Sequence, residues 1–271
     1  MTEQGSLVFV HAHPDDEALF TAAAIRRYVD QGRRVVLVTC TDGRLGLDDR
    51  IRAGNDPRHK ASAVAVTRAG ELAASVALLG VSRHVALGYR DSGLTGWSQA
   101  SDPASFVNAD VAAVARTLAS IFDEERAEVV VTYDENGYYG HPDHIQAHVV
   151  TRLAIEASPS VARLYYPVTP RTLLEQFVPQ AESMGVALPL WIIDAGVGVD
   201  ASAVAVTIDA GDLADLKRAS IAAHASQVDN ADLVTMDDEL FRLALGSEYY
   251  QLGWSRSGGA GAADDFFGGA T

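Results

Sequence analysis

Four short apolar, β-branched runs, each followed by a polar turn and most of them then by a stretch with helical spacing, constrain this chain more than any other feature. Leu7 to Val10 leads through an acidic turn to a helix over about Ala18 to Asp30. Val35 to Thr39 precedes the helix Ala61 to Leu79, Val85 to Leu87 precedes Ala109 to Glu124, and Val129 to Tyr133 closes the series. Strands that alternate with helices and are apolar on both faces form a mainly parallel sheet, because parallel neighbours need crossover connections and the crossover helices cover both faces. The fold class is therefore α/β, a Rossmann-like sheet flanked by helices. The second half (Leu164 to Pro167, Ala203 to Ile208, Leu213 to Ser226) is expected to add strands and helices that close over the substrate cleft. The chain has 271 residues and no Pro/Gly/Ser-rich linker, so a single domain over 1–256 is expected. A Gly/Ala-rich tail follows over 257–271, mobile up to its Phe266-Phe267 pair.

In such a sheet the active site lies beyond the carboxyl ends of the strands, which directs attention to the segments after Val10, Thr39, Leu87 and Tyr133. After the first strand stands His13-Pro14-Asp15-Asp16-Glu17, three carboxylates and an imidazole at the start of a helix. Helix capping accounts for one or two of the acids, at ~0.3–1 kcal/mol each, and leaves His13 unexplained. After the fourth strand stands Gly137-Tyr138-Tyr139-Gly140-His141-Pro142-Asp143-His144, with His148 one helical turn further on. Two such clusters at adjacent strand ends face one another and offer two histidines and a carboxylate. That facial set suits a divalent metal which keeps positions open for water and substrate. A lone HxxH would carry little; the pair, each after a predicted strand, points to a metal centre.

The AHPDDE and GHPDH segments resemble those of the PIG-L/LmbE family of zinc-dependent N-deacetylases. TYDENGYYGHPDH, GYRDSGLTGW, the stretch Arg68 to Leu72 and the HASQ at His224 to Gln227 are similar to its mycothiol-pathway branch, which contains an N-acetylglucosaminyl-inositol deacetylase and a mycothiol S-conjugate amidase. The resemblance spans about residues 6 to 255. It implies that His13, Asp16 and His144 bind Zn2+, one per chain, with Fe2+ or Co2+ able to occupy the same donors, and that Asp15 is the general base. It also implies that His141 stabilises the tetrahedral oxyanion as an imidazolium oriented by Asp143, that Tyr139 is brought over the substrate carbonyl, and that Arg68 and Asp91 contact sugar or inositol hydroxyls. The chemistry agrees: zinc lowers the pKa of bound water to roughly 7 and polarises the acyl oxygen of an otherwise unreactive amide. A carboxylate beside it can take the water's proton and return it to the leaving amine. Against these roles stand plainer ones, loop packing for Tyr138 and Tyr139 and a surface ion pair for Arg68 or Asp91. Glu17 is expected to cap or hydrogen-bond within the first helix, His148 to lie in the core behind the site, and Cys40 to be a buried apolar residue; His11 is given no role.

Charge and composition narrow the partners. Lys plus Arg number 21 against 36 Asp plus Glu, a net charge of −15, so a nucleic-acid backbone or anionic membrane is repelled on average and a small-molecule amino-sugar substrate is expected. No apolar run approaches the ~18 residues of a membrane span, so no membrane insertion is expected. With a single cysteine and an opening MTEQGSLVFV that does not read as a signal peptide, the expected location is cytoplasmic. Nothing in the sequence sets an oligomeric state. Two departures from the family stand out: Asp42-Gly43-Arg44 where relatives commonly carry Gly-Glu after the threonine, and Phe20 after HPDDE, which enlarges the apolar part of the pocket. Three readings follow: an N-deacetylase of an N-acyl glucosamine on inositol or another aglycone; an amidase of a larger amide, such as a mycothiol conjugate, or a deacylase of an amino-sugar natural product; and a non-catalytic Rossmann-like nucleotide-binding module. Against the last, no GxGxxG follows Val10, and proline and acids fill the turn where a phosphate needs bare backbone.

Overall fold

The computed structural model describes residues 5–186, 188, 196–258 and 265–267. Five parallel strands, β1 (Ser6–His11), β2 (Val35–Thr41), β3 (Arg83–Tyr89), β4 (Ala127–Val131) and β5 (Arg163–Val168), are joined by β6 (Val206–Asp209) and β7 (Ser247–Ser255) in the order β3-β2-β1-β4-β5-β7-β6. β7 runs antiparallel to both its neighbours, β5 and β6. The mainly parallel α/β sheet expected from the sequence is thus present. Its helices are α1 (Asp16–Phe20), α2 (Ala22–Asp30), α3 (Ala61–Leu79), α4 (Val111–Glu125), the single turn α5 (Gly137–Gly140), α6 (Pro142–Ala157), α7 (Arg171–Ser183), α8 (Ala214–Ala223), α9 (Ala231–Thr235) and α10 (Asp238–Leu245).

Strand alternation divides the core into two layers. Val8, Val10, Val36 and Val38 pack with α4 and α6 through Leu118, Phe122 and Val150, while Leu7, Phe9, Val35 and Leu37 pack with Ile25 and Tyr28 of α2 on the other face. Each such side chain contributes about 1.5–3 kcal/mol by leaving water, which is why central strands β1 and β2 are buried along their whole length.

The structure departs from the sequence reading in particular places. The helix expected over Ala18 to Asp30 is two helices that meet at Thr21, whose backbone (φ −141°, ψ 9°) is not helical and whose hydroxyl lies 2.8 Å from His11 Nε2. α4 starts at Val111 rather than Ala109 because Asp110 caps it, accepting the Ala113 N–H at 3.0 Å. β4 stops at Val131, which leaves Tyr133 free to turn under the site. In the second half, β5, β6 and α8 fall where apolar runs suggested, and α7, α9, α10 and β7 are additions. SEYYQLGWS has aromatic residues that suit a strand but no β-branched run of the kind that marked the other strands. Residues 227–230 and 232 line the cleft from this half, as a C-terminal elaboration should.

α3 has the length and apolarity of a membrane span by composition. Its two central charges are nonetheless tied into the protein, Arg68 to Asp15 at 2.9 Å and Glu71 to the Ser226 N–H at 2.7 Å, which fastens α3 to the site. In the tail, Phe266 is fully buried among Tyr28, Tyr165 and Tyr250, with ring centroids at 5.3, 4.8 and 4.7 Å; residues 259–264 and 268–271 lie outside the described residues. Phe266→Ala is expected to lower stability by about 3–5 kcal/mol, read as a drop in thermal or denaturant midpoint; an unchanged midpoint would show that the tail contributes nothing to the core.

Candidate active site

Because β1 and β4 are parallel neighbours, their carboxyl ends deliver the two histidine-acid clusters to one place. His144 Nε2 lies 3.3 Å from His13 Nδ1 and 3.6 Å from Asp16 Oδ1, and His13 Nδ1 lies 3.5 Å from Asp16 Oδ2. Each of these residues is held from behind. His13 Nε2 donates to Asp143 Oδ2 at 3.2 Å, which leaves Nδ1 facing the other two. His144 Nδ1 donates to the Gly137 carbonyl at 3.2 Å, which leaves Nε2 facing inward. Asp16 Oδ2 accepts the His13 backbone N–H at 2.7 Å and the Tyr133 hydroxyl at 2.6 Å. His13, His141 and His144, and likewise His13, Asp91 and Asp143, also gather donor atoms within 4.8 Å of one another, so this neighbourhood can hold a metal ion.

Electrostatics follow burial and neighbours. Burial opposes ionisation of Asp16, but His144 and His13 outweigh it and hold its carboxyl well below the usual range. Burial likewise disfavours a charged His13, yet Asp91, Asp143 and Asp16 push its pKa well up. The acids therefore demand a positive charge at this point. His144 is lowered to about 3, mainly by burial. Asp15 keeps 15% of its side chain exposed to the cleft; burial raises it and Arg68 partly offsets this, leaving it at about 6. Its backbone (φ 96°, ψ −26°) is left-handed, a state that costs a non-glycine residue about 1–3 kcal/mol.

The remaining predicted residues are all at this cleft, with different neighbours from those expected. His141 is lowered to about 3, first by burial and then by His13 and His144 beside it. The Asp143 N–H donates to His141 Nδ1 at 3.1 Å, which puts the ring hydrogen on Nε2. That backbone contact is how Asp143 orients His141. Its carboxylate goes instead to His13 and to Ser92, accepting the hydroxyl at 2.5 Å and the N–H at 2.9 Å. Tyr139 packs edge-on to His144 at 5.0 Å, beside Tyr138, whose backbone is strained (φ 65°, ψ −60°) and whose hydroxyl meets Thr169 at 2.6 Å.

Arg68 is neither exposed nor a surface ion pair: it holds Asp15 Oδ2 at 2.9 Å, the Gly43 carbonyl at 2.8 Å and the Pro14 carbonyl. Gly43 (φ 59°) permits this, since a Cβ there would sit 2.6 Å from the guanidinium. Asp91 accepts from the Leu45 and Gly93 N–H groups at 3.2 and 2.8 Å. Arg44, the departure in that loop, pairs with Asp42 at 2.8 Å. Glu17 bonds within the first turn as expected and also beyond it, to Ser75 and His224. His148 packs on Tyr166 behind the site, and Cys40 is buried.

Sequence reasoning missed Tyr133 and Ser92. Tyr133 stacks on His144 at 3.9 Å, accepts the Ala12 N–H at 2.9 Å and supports Asp16, while Ser92 fixes Asp143. Both lie inside segments whose likeness to the family was noted, which was the available signal. The cleft of 780 Å3 is lined by the donor residues at its floor and by Leu45, Leu47, Trp97 and Gln227 higher up. A separate apolar cavity of 70 Å3 behind Phe20 contains none of the donors.

Fold and site together define a Rossmann-like α/β protein with a candidate metal centre at its strand ends. The family described as PIG-L, GlcNAc-PI de-N-acetylase, matches residues 8–155. The 1D-myo-inositol 2-acetamido-2-deoxy-alpha-D-glucopyranoside deacetylase of Thermomonospora curvata is 40% identical over 269 residues, covering 91% of this chain and 89% of its own. N,N'-diacetylchitobiose deacetylase from Pyrococcus horikoshii superposes with a TM-score of 0.58 at 21% identity, over 92% of this chain and 84% of that one. GalB, the 4-carboxy-2-hydroxymuconate hydratase of Pseudomonas putida, does so with a TM-score of 0.55 at 17% identity, over 93% of this chain and 98% of that one. The last two share the fold. The chain belongs to the PIG-L family, as its AHPDDE and GHPDH segments led us to expect.

Tyr133→Phe removes a donor to Asp16 and an acceptor for the Ala12 N–H, both buried. Stability is expected to fall by about 1–3 kcal/mol in denaturant unfolding, and divalent-metal affinity by about 10–100-fold in titration. Wild-type values of both would show that the hydroxyl supports nothing.

Proposed function

We propose that this chain hydrolyses the N-acetyl amide of an amino sugar, with N-acetylglucosaminyl-inositol as the leading substrate, and that it uses one zinc ion held by His13, Asp16 and His144. One observation carries this reading: His144 Nε2 stands 3.3 Å from His13 Nδ1 and 3.6 Å from Asp16 Oδ1, while the second nitrogen of each histidine and Asp16 Oδ2 are engaged by the protein. The edge of a tetrahedron with bonds of ~2.0–2.1 Å is about 3.3 Å, so the donor set fits a small divalent ion, with Fe2+ or Co2+ as the other candidates. When bound, such an ion polarises the acyl oxygen and acidifies water.

The remaining work falls to the chain's own residues. Asp15, anchored by Arg68 and open to the cleft, takes the proton of the attacking water as oxygen adds to the acyl carbon. It then returns that proton to nitrogen as the C–N bond breaks, giving a carboxylate and a free amine. His141, with hydrogen on Nε2, and the Tyr139 hydroxyl, which burial keeps protonated, donate to the oxyanion. Asp91 retains acceptor capacity for a polyol hydroxyl beside its two backbone donors. Arg68 acts chiefly by holding Asp15, with its two terminal nitrogens also bonded to the Gly43 and Pro14 carbonyls. The 780 Å3 cleft exceeds a single acetamido sugar, so the aglycone lies along Leu45, Trp97 and Gln227. The 40% identical relative named for the inositol glycoside supports this choice of aglycone.

The test is release of free amine from N-acetylglucosaminyl-inositol, from other N-acyl glucosamines and from a mycothiol S-conjugate. Chelation should abolish turnover and zinc restore it; undiminished turnover in metal-stripped protein would sink the proposal. Asp15→Asn should retain the metal and lose about 10²–10⁴ in kcat. His144→Ala should lose stoichiometric metal, and His141→Ala about 10²–10³ in kcat with metal retained. Turnover confined to the S-conjugate would move the assignment to the larger amide.

A further inference from the structure

Asp15 stands in a left-handed backbone state, and the side chain that accepts its N–H there, Glu17, does not line the cleft. Its N–H precedes α1 and has no helical partner; it donates to Glu17 Oε2 at 3.0 Å. The other oxygen, Glu17 Oε1, accepts the Ser75 hydroxyl at 2.6 Å and His224 Nε2 at 2.7 Å. Glu17 and Ser75 are fully buried and His224 is 2% exposed, so this cluster does not exchange its bonds with solvent. A carboxylate serving only as a cap would need one donor; here both oxygens are committed, one to Asp15 and the other to two distant elements.

The supports converge. Arg68, which grips the Asp15 carboxylate, and Ser75, which grips Glu17, lie on one buried stripe of α3 with Val64, Leu72 and Leu79. One rigid helix therefore holds the side chain of Asp15 directly and its backbone through Glu17. His224, 207 residues from Glu17 at the end of α8, closes the arrangement from the second half of the chain.

We propose that Glu17, clamped by Ser75 and His224, sets the position of Asp15, and that Glu17 and His224 are positioning residues of the reaction, an inference that rests on the role given to Asp15 above. Displacing a proton-transferring carboxylate by about 1 Å can cost about 10²-fold in rate. Glu17→Gln keeps the shape but turns one acceptor into a donor, which sets it against the Asp15 N–H or against Ser75 and His224.

In zinc-loaded protein, Glu17→Gln is expected to lower kcat about 30–100-fold, with KM and metal stoichiometry unchanged. His224→Ala should do the same and His224→Gln, whose amide can still donate, should recover part of the loss. In an Asp15→Asn background the Glu17→Gln loss should vanish, since there is no carboxylate left to position. A purely structural role would instead lower soluble yield and leave kcat per folded, metal-loaded molecule at the wild-type value. A wild-type kcat, or a loss that persists undiminished beside Asp15→Asn, overturns the proposal. If Glu17→Gln does not fold, Ser75→Ala removes one donor and carries the same comparison. If the wild-type protein releases no amine at all, the deacetylase reading fails by itself. A crystal structure of Glu17→Gln then judges the clamp: residue 15 leaving the left-handed region supports it, and residue 15 staying there refutes it.

Discussion

β1 and β4 run side by side in the same direction, and the site depends on that contact. It sets His13 and Asp16 against His144 at two adjacent strand ends, and Tyr133 locks the junction by bonding at once to the Ala12 backbone and to Asp16. The parallel ladder is buried on both faces, so the relative height of the two strands cannot slip without exposing a whole row of valines. Donor spacing at the floor of the cleft is thereby inherited from the hydrophobic core.

Concentrating Asp15, Asp16, Glu17, Asp91 and Asp143 in one buried region opposes folding, because each carboxylate loses water. The structure offsets this with specific donors: backbone N–H groups for Asp16, Asp91 and Asp143, the guanidinium of Arg68 for Asp15, and Ser75 with His224 for Glu17. His13 carries the remaining balance, its pKa raised by the acids around it. The same logic governs a second buried acid, Glu248, which accepts from the Ala23 and Ala24 N–H groups at the start of α2 and from Lys217 and Tyr250. That junction ties β7 and α8 to the first βα unit, and through α8 it places His224.

The fold does not select the reaction. A hydratase and a chitobiose deacetylase share this architecture, so the chemistry rests on which side chains stand at the strand ends. Here those side chains leave one carboxylate, Asp15, partly open beside donors that are otherwise enclosed. The division of labour comes from position: Asp16 is turned into the junction and Asp15, one residue earlier in a left-handed turn, is turned to the cleft.

The strand-helix alternation, the family and the two clusters were readable from the chain alone, because β-branched runs and the HPDDE and HPDH segments are local signals that survive without knowledge of their surroundings. The break at Thr21 and the extra strand β7 were not, since each is decided by partners far away in sequence, His11 in one case and the flanking strands β5 and β6 in the other. The same holds for single side chains. That Arg68 would hold Asp15, that the Asp143 carboxylate would serve His13 rather than His141, and that His141 Nδ1 would accept the Asp143 N–H all depend on burial and on contacts across the sheet. The sequence by itself determined which kinds of groups stand at the strand ends; only the tertiary structure decided which atom of each faces which neighbour, because hydrogen-bond direction and desolvation are properties of the packed environment.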